Sequence, residues 1–215
     1  MPAKNTLKHY KNNSYYHIYN RGIEKRIIYQ DKQDYAVFLN YLKEYLSPLS
    51  KTDPKREILI KNTTYQIKDY RCRNHHQNIT LIAYCLMPNH FHLLVKQKQA
   101  RDIELFMKSL GTRYTMYFNK RYQRQGGLFQ DRYKAVLIDS DEQLLHLSRY
   151  IHLNPAPNLF QQPSSYLDYL QLKNTSWVHP QDVLQYFKNP LVYKQFVEAE
   201  NQSSLSIITN FTLDS

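Results

Sequence analysis

The feature that most constrains this fold is a pair of apolar segments joined by a short turn. Residues 79–86 and 90–96 are rich in Ile, Leu, Val and Tyr, and Met87-Pro88-Asn89 separates them. Because proline and asparagine favour turns, the two segments are predicted to pair as neighbouring strands. The run Leu93-Leu94-Val95 lacks polar alternation, which is typical of a strand covered on both faces, so the second strand is predicted to lie inside a sheet.

Similar patterns predict the rest of the sheet and the helices around it. Residues 15–20 alternate with period two, and residues 132–138 form a further predicted strand. Apolar residues at helical spacing predict helices over 31–46, 102–121 and 140–153, and shorter helical pieces over 166–170, 182–187 and 192–200. This order predicts an α+β protein with a central antiparallel sheet flanked by helices.

A polar, basic stretch between the first helix and the apolar hairpin is interpreted as an insert at about residues 47–78. A β-hairpin pattern lies within it, around residues 58–60 and 65–67. We predict one main domain over residues 1–160, and a C-terminal helical extension with a polar tail over 161–215. Cys72 and Cys85 do not have the spacing of a common zinc finger, so a basic loop is favoured over a zinc site in the insert.

Charge and cysteine content narrow the class of protein. The 215 residues include 29 Lys and Arg against 18 Asp and Glu, and the net charge of +11 favours a polyanionic partner. No apolar run reaches the roughly 18–20 residues of a membrane-spanning helix, and the first residues lack the apolar stretch of a secretion signal. Two cysteines exclude a disulfide-stapled scaffold, so we expect a soluble, cytoplasmic protein with no membrane partner. The 20 tyrosines fit a base-stacking surface, or they reflect the codon usage of an AT-rich genome.

Two histidines on the second apolar strand are the most informative polar residues. Successive side chains on a strand point to opposite faces, so His90 and His92 are predicted to project together while Phe91 enters the other layer. Two imidazoles on one rigid face can chelate a divalent cation. The alternative is a pair of ordinary, hydrogen-bonded histidines.

A nucleophile with a metal ligand one helical turn later would complete such a site, because residues four apart share one face of a helix. Of the nine tyrosines beyond His92, only Tyr150 has a side chain at the fourth following position that can ligate a metal, the amide of Asn154. By pattern alone, a half-buried core aromatic is an equally good interpretation of Tyr150.

At four stretches the chain resembles the single-tyrosine HUH transposases of small insertion sequences, and especially the REP-associated tyrosine transposases. These stretches are Tyr16-His17-Ile18-Tyr19-Asn20-Arg21-Gly22, Tyr84-Cys85-Leu86-Met87-Pro88-Asn89-His90-Phe91-His92-Leu93-Leu94-Val95, Gly127-Leu128-Phe129-Gln130-Asp131-Arg132-Tyr133 and Tyr150-Ile151-His152-Leu153-Asn154-Pro155. They follow the family's order and cover roughly residues 14–160. The insert at 47–78 and the region after about residue 165 depart from the family's pattern.

The resemblance implies a fold, a metal and a reaction. The fold would be a ferredoxin-like palm. His90, His92 and the Asn154 amide would hold Mg²⁺ or Mn²⁺ against the scissile phosphate of single-stranded DNA, and Tyr150 would attack phosphorus. The products would be a 5′-phosphotyrosyl enzyme and a free 3′-hydroxyl, and the reverse reaction would rejoin the strand without ATP. The implied partner is single-stranded or hairpin DNA, bound by a monomer or a homodimer.

Basic residues near the ends of the predicted elements are expected to track a DNA backbone, although any one of them is often just a solvated charge. These residues are Arg21, Lys25, Arg26, Lys120, Arg121, Arg124, Arg132 and Lys134.

Two other functions fit the same sequence. A non-catalytic or domesticated nucleic-acid-binding protein on this fold would not need the His, His, Tyr and Asn set, so the presence of all four favours an enzyme. Metal-dependent hydrolysis without a covalent intermediate would leave Tyr150 dispensable.

Overall fold

The computed structural model describes residues 10–48, 57–60, 63–66 and 74–199, the two short ranges by their backbone alone. The strands are β1 (Ser14–Arg21), β2 (Glu57–Ile60), β3 (Thr63–Gln66), β4 (Ile79–Met87), β5 (His90–Gln97) and β6 (Lys134–Ile138). The helices are α1 (Lys32–Leu46), α2 (Asp102–Arg121), α3 (Asp141–Leu153), α4 (Tyr166–Tyr169), α5 (Gln181–Leu184) and α6 (Pro190–Glu198), and a 3-10 turn spans Ile23–Lys25.

Four strands form one antiparallel sheet in the order β4-β5-β1-β6. The apolar hairpin of the sequence is β4 and β5, joined by a turn at Pro88 and Asn89. β5 lies between β4 and β1, which confirms that this strand is interior and explains why its middle residues are apolar on both faces. With α1 and α2 as connections, the chain follows the βαββαβ order of the ferredoxin-like fold. The predicted α+β class is therefore confirmed.

One face of the sheet is covered by α1 and α2. Phe38 on α1 and Phe106 on α2 are fully buried in the same cluster as Phe91 and Leu93 from β5. Asp31 caps the start of α1, because its carboxylate accepts hydrogen bonds from the backbone N–H groups of two first-turn residues. This aromatic-rich layer is the larger of the two cores, and it takes up the side chains of β5 that alternate with the histidines.

The other face is covered by α3 and by the C-terminal helices. Leu147 and Ile151 of α3 are fully buried with Leu94 of β5, and Tyr169 and Tyr193 of the C-terminal region belong to the same cluster. The segment leading into α4 also lies along the outer edge of β4, because backbone N–H and C=O groups pair there at residues 84, 86, 163 and 165. The C-terminal helices therefore share the core that positions α3.

Local signals predicted most element boundaries. α2 spans the expected residues, and α3 begins after Ser140, whose hydroxyl accepts a hydrogen bond from Gln143 N at 3.2 Å. The strands β2 and β3 pair as an antiparallel hairpin, as predicted within the insert. Residues 49–56, 61–62 and 67–73 of the insert, which include Cys72, and the polar tail from residue 200 lie outside the described residues. Within the described part of the chain, no helix has both the length and the apolar character needed to cross a bilayer.

Candidate active site

The two histidines of β5 lie on the sheet face that α3 covers. Phe91 between them packs into the opposite core, so the predicted alternation is confirmed. The His90 and His92 rings are 5.0 Å apart between centroids, with an interplanar angle of 86°. His92 is fully buried, whereas His90 is half-buried at the start of the strand. Two imidazoles at the edge of an apolar layer thus face the end of one helix.

Tyr150 and Asn154 approach these rings from the last turn of α3. The Tyr150 ring centroid is 5.3 Å from that of His92, with the rings edge-to-face at 84°. Asn154 Oδ1 is 3.4 Å from His90 Nε2, while Asn154 Nδ2 donates a hydrogen bond to Tyr150 O at 2.9 Å. The apolar stripe of α3 packs on the sheet and rotates the Tyr150 side of the helix toward β5. The structure therefore brings together all four residues predicted from the sequence.

A third histidine, which the sequence reasoning missed, lies beneath this group. His17 on β1 is fully buried, and its Nε2 is 2.8 Å from His92 Nδ1. Its ring lies 6.1 Å from that of Tyr150. The period-two pattern of residues 15–20 would have placed His17 and Tyr19 on one face, but only the pairing of β1 with β5 shows that this face is the one carrying His92.

Burial keeps His92 neutral. Desolvation, followed by the nearby His17 and His90, holds the pKa of the His92 imidazole well below its usual value of 6.5, and the neighbouring Asn154 amide only partly opposes this. His92 Nε2 is buried, and within the described part of the chain no group has hydrogen-bond geometry with it. A neutral imidazole with an unpartnered buried nitrogen is the form in which histidine ligates a metal.

The donor set of this group is small and uncharged. It offers imidazole nitrogens of His90 and His92 and the amide oxygen of Asn154. Among the residues with described side chains, no three His, Cys, Asp or Glu side chains are grouped as a metal site. The residues fit an open three-donor site for a divalent cation, with positions left for oxygen atoms of a bound ligand.

Two of the predicted DNA-contacting residues lie on the same sheet face as the histidines. Arg21 is opposite His90 in the β1–β5 register, and Lys134 is opposite Tyr19 in the β1–β6 register. Arg21 Nε donates a hydrogen bond to Gln130 Oε1 at 2.6 Å, which holds the guanidinium at the edge of the site. Both cations are therefore within the region where an anionic ligand of the site would lie.

The loop after β1 brings Lys25 and Arg26 to the turn before His90. Gly22 N donates to Asn89 O at 2.8 Å, and Asn89 Nδ2 donates to Lys25 O at 3.2 Å. A Cβ atom at Gly22 would lie 2.2 Å from the Arg26 carbonyl oxygen, so this close loop packing requires glycine. The Lys25 side chain is exposed and that of Arg26 is half-buried.

The basic residues predicted to contact DNA near the end of α2 are not equivalent, because one of them is paired with acidic side chains. Arg121 donates hydrogen bonds of 2.6 Å to both Asp31 and the fully buried Asp34, so its charge is compensated inside the protein. Lys120 and Arg132 are exposed, and Arg124 donates to the Asn119 side chain at 3.2 Å. α2 ends at the same edge of the sheet where β1 ends and β6 begins, so the remaining cations surround the histidine end of the sheet.

Comparison with known proteins agrees with this arrangement. The sequence model of a protein family described as Transposase IS200 like matches residues 51–154. A putative REP-associated tyrosine transposase from Haemophilus influenzae is 30% identical over 96 residues, which are 40% of this chain and 54% of the relative. The match thus spans about half the length of that relative.

A solved structure of a REP-associated tyrosine transposase bound to a REP hairpin has the same fold. It aligns with a TM-score of 0.55 at 10% sequence identity, over 80% of this chain and 95% of that chain. The family match includes the segment that carries His90 and His92, and the fold match covers most of the chain. Residues 51–154 are thus similar to the IS200-like transposase family, and the chain resembles a REP-associated tyrosine transposase in sequence over part of its length and in fold.

Proposed function

We propose that this protein cleaves and rejoins single-stranded DNA beside hairpins, through a covalent bond to Tyr150 and with a divalent cation. The observation that carries the proposal is the convergence of Tyr150, His90, His92 and Asn154 around the unpartnered His92 Nε2. The relative named above, and the hairpin bound in the structure of similar fold, support DNA as the substrate.

The reaction would exchange one phosphoester bond for another. The Tyr150 hydroxyl oxygen would form a bond to phosphorus, and the bond from phosphorus to the 3′-oxygen of the upstream nucleotide would break. The tyrosine loses its proton, and the released 3′-oxygen gains one. Because one phosphoester replaces another, rejoining is the reverse reaction and requires no nucleotide cofactor.

His90, His92 and Asn154 would hold Mg²⁺ or Mn²⁺. The bound cation would neutralise charge on the scissile phosphate and favour the phenolate, which an unperturbed phenol of pKa near 10 supplies poorly at neutral pH. Arg21 and Lys134, on the same face of the sheet, would hold the flanking phosphates. The Tyr150 ring, edge-on against His92, is positioned by the apolar stripe of its helix.

Transfer of a strand-specific label to the protein tests this proposal. A pool of hairpin oligonucleotides with randomised single-stranded flanks is labelled at the 3′ or the 5′ end and incubated with Mn²⁺. A 5′-phosphotyrosine bond attaches the downstream segment, so the 3′ label should migrate with the protein on a denaturing gel. The 5′ label should appear on a shorter free strand.

The matched variants are Tyr150→Phe and Tyr186→Phe. Tyr150→Phe should reduce the adduct to background, because only the nucleophilic oxygen is removed, and hairpin binding should be unchanged. Tyr186 is exposed in the segment between α5 and α6, and its variant should form adduct like the wild type. An adduct that persists in Tyr150→Phe contradicts the assignment of Tyr150 as the nucleophile. For the wild type, cleavage without an adduct indicates hydrolysis without a covalent intermediate. Tight binding of the wild type without cleavage indicates a non-catalytic DNA-binding protein.

A further inference from the structure

We propose that an unpaired segment of DNA beside the hairpin binds in a groove next to the candidate active site, with one base stacked on Phe160 and phosphates at Lys32 and Lys173. This inference rests on the proposed function for the class of substrate. The three residues lie outside residues 51–154, which the family model matches, so the family match does not assign this groove.

The groove consists of two adjoining concave surfaces that begin at the end of α3. The first, of about 430 Å³, is lined by Leu153 in the last turn of α3 and by the chain that follows Asn154. The second, of about 440 Å³, lies between α1 and the segment paired with the edge of β4. Leu159 and Phe160 line both surfaces, so the two are continuous. Phe160 follows Asn154 by six residues, so at most about 22 Å separate them, and an unpaired strand can reach Phe160 from the active site within a few nucleotides.

Phe160 presents an aromatic surface in this groove. The residue is 57% exposed, although one face of its ring stacks on the fully buried Tyr166, with centroids 5.8 Å apart and planes inclined by 29°. Tyr166 therefore supports the Phe160 ring from one side, and the exposed part of the ring is available to a planar ligand. Nucleic-acid bases stack on such aromatic side chains with little dependence on sequence.

The charges along the groove favour a polyanion. Lys32 and Lys173 line the second surface and are exposed, and no acidic side chain is among the described residues that line it. Glu198 lines the first surface, but its carboxylate accepts a hydrogen bond from the Tyr166 hydroxyl at 2.9 Å and pairs with Lys194 at 4.0 Å. An aromatic platform beside exposed cations is the arrangement by which proteins hold single-stranded nucleic acid.

A hydrogen bond across the second surface shapes the groove before DNA binds. The Tyr35 hydroxyl on α1 donates to Gln162 Oε1 at 2.8 Å, which joins the two walls of this surface. With its oxygen engaged, the Gln162 amide still has its NH₂ group to donate to a base or a phosphate. Preformed walls reduce the cost of ordering the protein when an unpaired strand binds.

Photocross-linking tests where the unpaired strand lies. Single-stranded oligonucleotides with one 5-iododeoxyuridine, and hairpins with the same base in either flank, are irradiated with the protein in the presence of EDTA, which chelates divalent cations. We expect mass spectrometry to identify a cross-link at Phe160. Cross-links found only elsewhere, or none, overturn the proposal whether or not the protein cleaves DNA with Mn²⁺. A Phe160 cross-link in a protein that does not cleave DNA supports the groove and contradicts the proposed function, so the two failures are distinguishable.

Affinities for two matched hairpins, one with unpaired flanks and one without, supply the second readout, again without metal. Phe160→Ala should weaken binding of the flanked hairpin by about 5- to 100-fold, as for one lost stacking contact, and leave the affinity for the other hairpin unchanged. Phe160→Trp keeps an aromatic surface and should retain the wild-type preference for the flanked hairpin. Lys32→Ala and Lys173→Ala should each reduce the slope of log affinity against log salt by about 0.7, for the flanked hairpin alone.

The matched control is Leu172→Ala. Leu172 is 73% exposed and precedes Lys173, but it is not among the residues that line the two surfaces. Removal of its side chain should leave the affinity for both hairpins unchanged. If Leu172→Ala and folded Phe160→Ala weaken binding of the flanked hairpin equally, or if Phe160→Ala weakens binding of both hairpins equally, Phe160 does not hold the flank and the proposal is wrong.

Discussion

Asn154 connects α3, which carries Tyr150, to the histidine strand β5, because its amide group bonds in two directions. Its Nδ2 donates to the carbonyl of Tyr150 one turn earlier, so its Oδ1 is directed toward His90 Nε2. The Asn154 amide is uncharged, the His92 imidazole is held neutral by burial, and the neighbouring core on this face is apolar. In the proposed metal site, Asn154 would therefore contribute one oxygen atom and no charge.

Substitution of Asn154 should therefore change metal dependence in two opposite directions. Asn154→Ala keeps both histidines and Tyr150, and should raise the Mn²⁺ concentration for half-maximal cleavage by about tenfold or more. Asn154→Asp supplies a carboxylate, the stronger ligand for Mg²⁺ and Mn²⁺, and should lower it. Cleavage rates titrated with Mn²⁺ measure both effects. His90→Ala shows the effect of losing one imidazole ligand. If the wild type and all three variants gave identical Mn²⁺ titration curves, His90 and Asn154 would not be metal ligands.

At the scale of elements, α3 is held as much by the C-terminal helices as by the sheet. His152 is fully buried, with Nδ1 2.7 Å from the Tyr193 hydroxyl and Nε2 2.8 Å from the Ser165 hydroxyl. Arg149 Nε donates to Phe196 O at 2.8 Å, and its guanidinium also donates to the carbonyl of Ala199, so it caps the end of α6. The extension after residue 160 thus positions the helix that carries Tyr150.

Stability should fall in acid because His152 must be neutral in the folded protein. Burial lowers the pKa of His152 to about 3, whereas an unfolded histidine has a value near 6.5. Between these values the unfolded chain binds the proton that the folded protein excludes, so His152 stabilises the protein fully above pH 6.5. That contribution is lost progressively toward pH 3, at no more than about 1.4 kcal/mol per pH unit.

Urea unfolding at pH 7, 6, 5 and 4 measures this slope. His152→Gln should reduce the slope by about one proton, while Tyr193→Phe should lower stability at every pH but keep the slope, because the imidazole remains. A wild-type slope in folded His152→Gln would show that other groups cause the acid sensitivity.

At the scale of the whole molecule, topology collects positive charge at one end of the sheet. Several elements meet at the end of the sheet where His90 lies. β1 and α2 end there, and β6 and the loop over the Pro88-Asn89 turn begin there. The cations at this end are not equivalent, because Arg121 is compensated by Asp31 and Asp34 whereas Lys25 and Arg132 are exposed. Only uncompensated cations release counterions when they bind phosphates.

Hairpin binding should therefore depend steeply on salt and on particular residues. We expect affinity for hairpin DNA with single-stranded flanks to fall by roughly 10³ or more between about 50 and 200 mM salt, and to exceed affinity for blunt duplex. Lys25→Ala and Arg132→Ala should each reduce the slope of log affinity against log salt by about one. Arg121→Met should instead lower the melting temperature and leave that slope intact. Fluorescence anisotropy measures all four proteins, and a flat salt profile or equal slopes for the three variants would contradict this charge distribution.

Local pattern was sufficient for the elements and for the composition of the site. Helical spacing predicted α2, and helical spacing with a capping serine predicted α3. Period two placed His90 and His92 on one face with Phe91 on the other. The four-residue spacing of Tyr150 and Asn154 predicted their shared side of α3. These features depend on neighbours within a few residues, so they could be predicted without knowledge of the fold.

Contacts between residues distant in the sequence depend on how the elements pack, and local patterns did not predict them. The bond between His17 and His92 joins positions 75 residues apart, and the ion pair of Arg121 with Asp31 joins positions 90 apart. Both depend on the order of strands in the sheet and on which helix covers which face, and neither is encoded in a local period. The same holds for the C-terminal helices, whose packing on α3 arises because their aromatic side chains complete the second core. Strand order and packing between layers are set by the free energy of the whole chain, and they turned a recognisable set of residues into a site with a defined geometry.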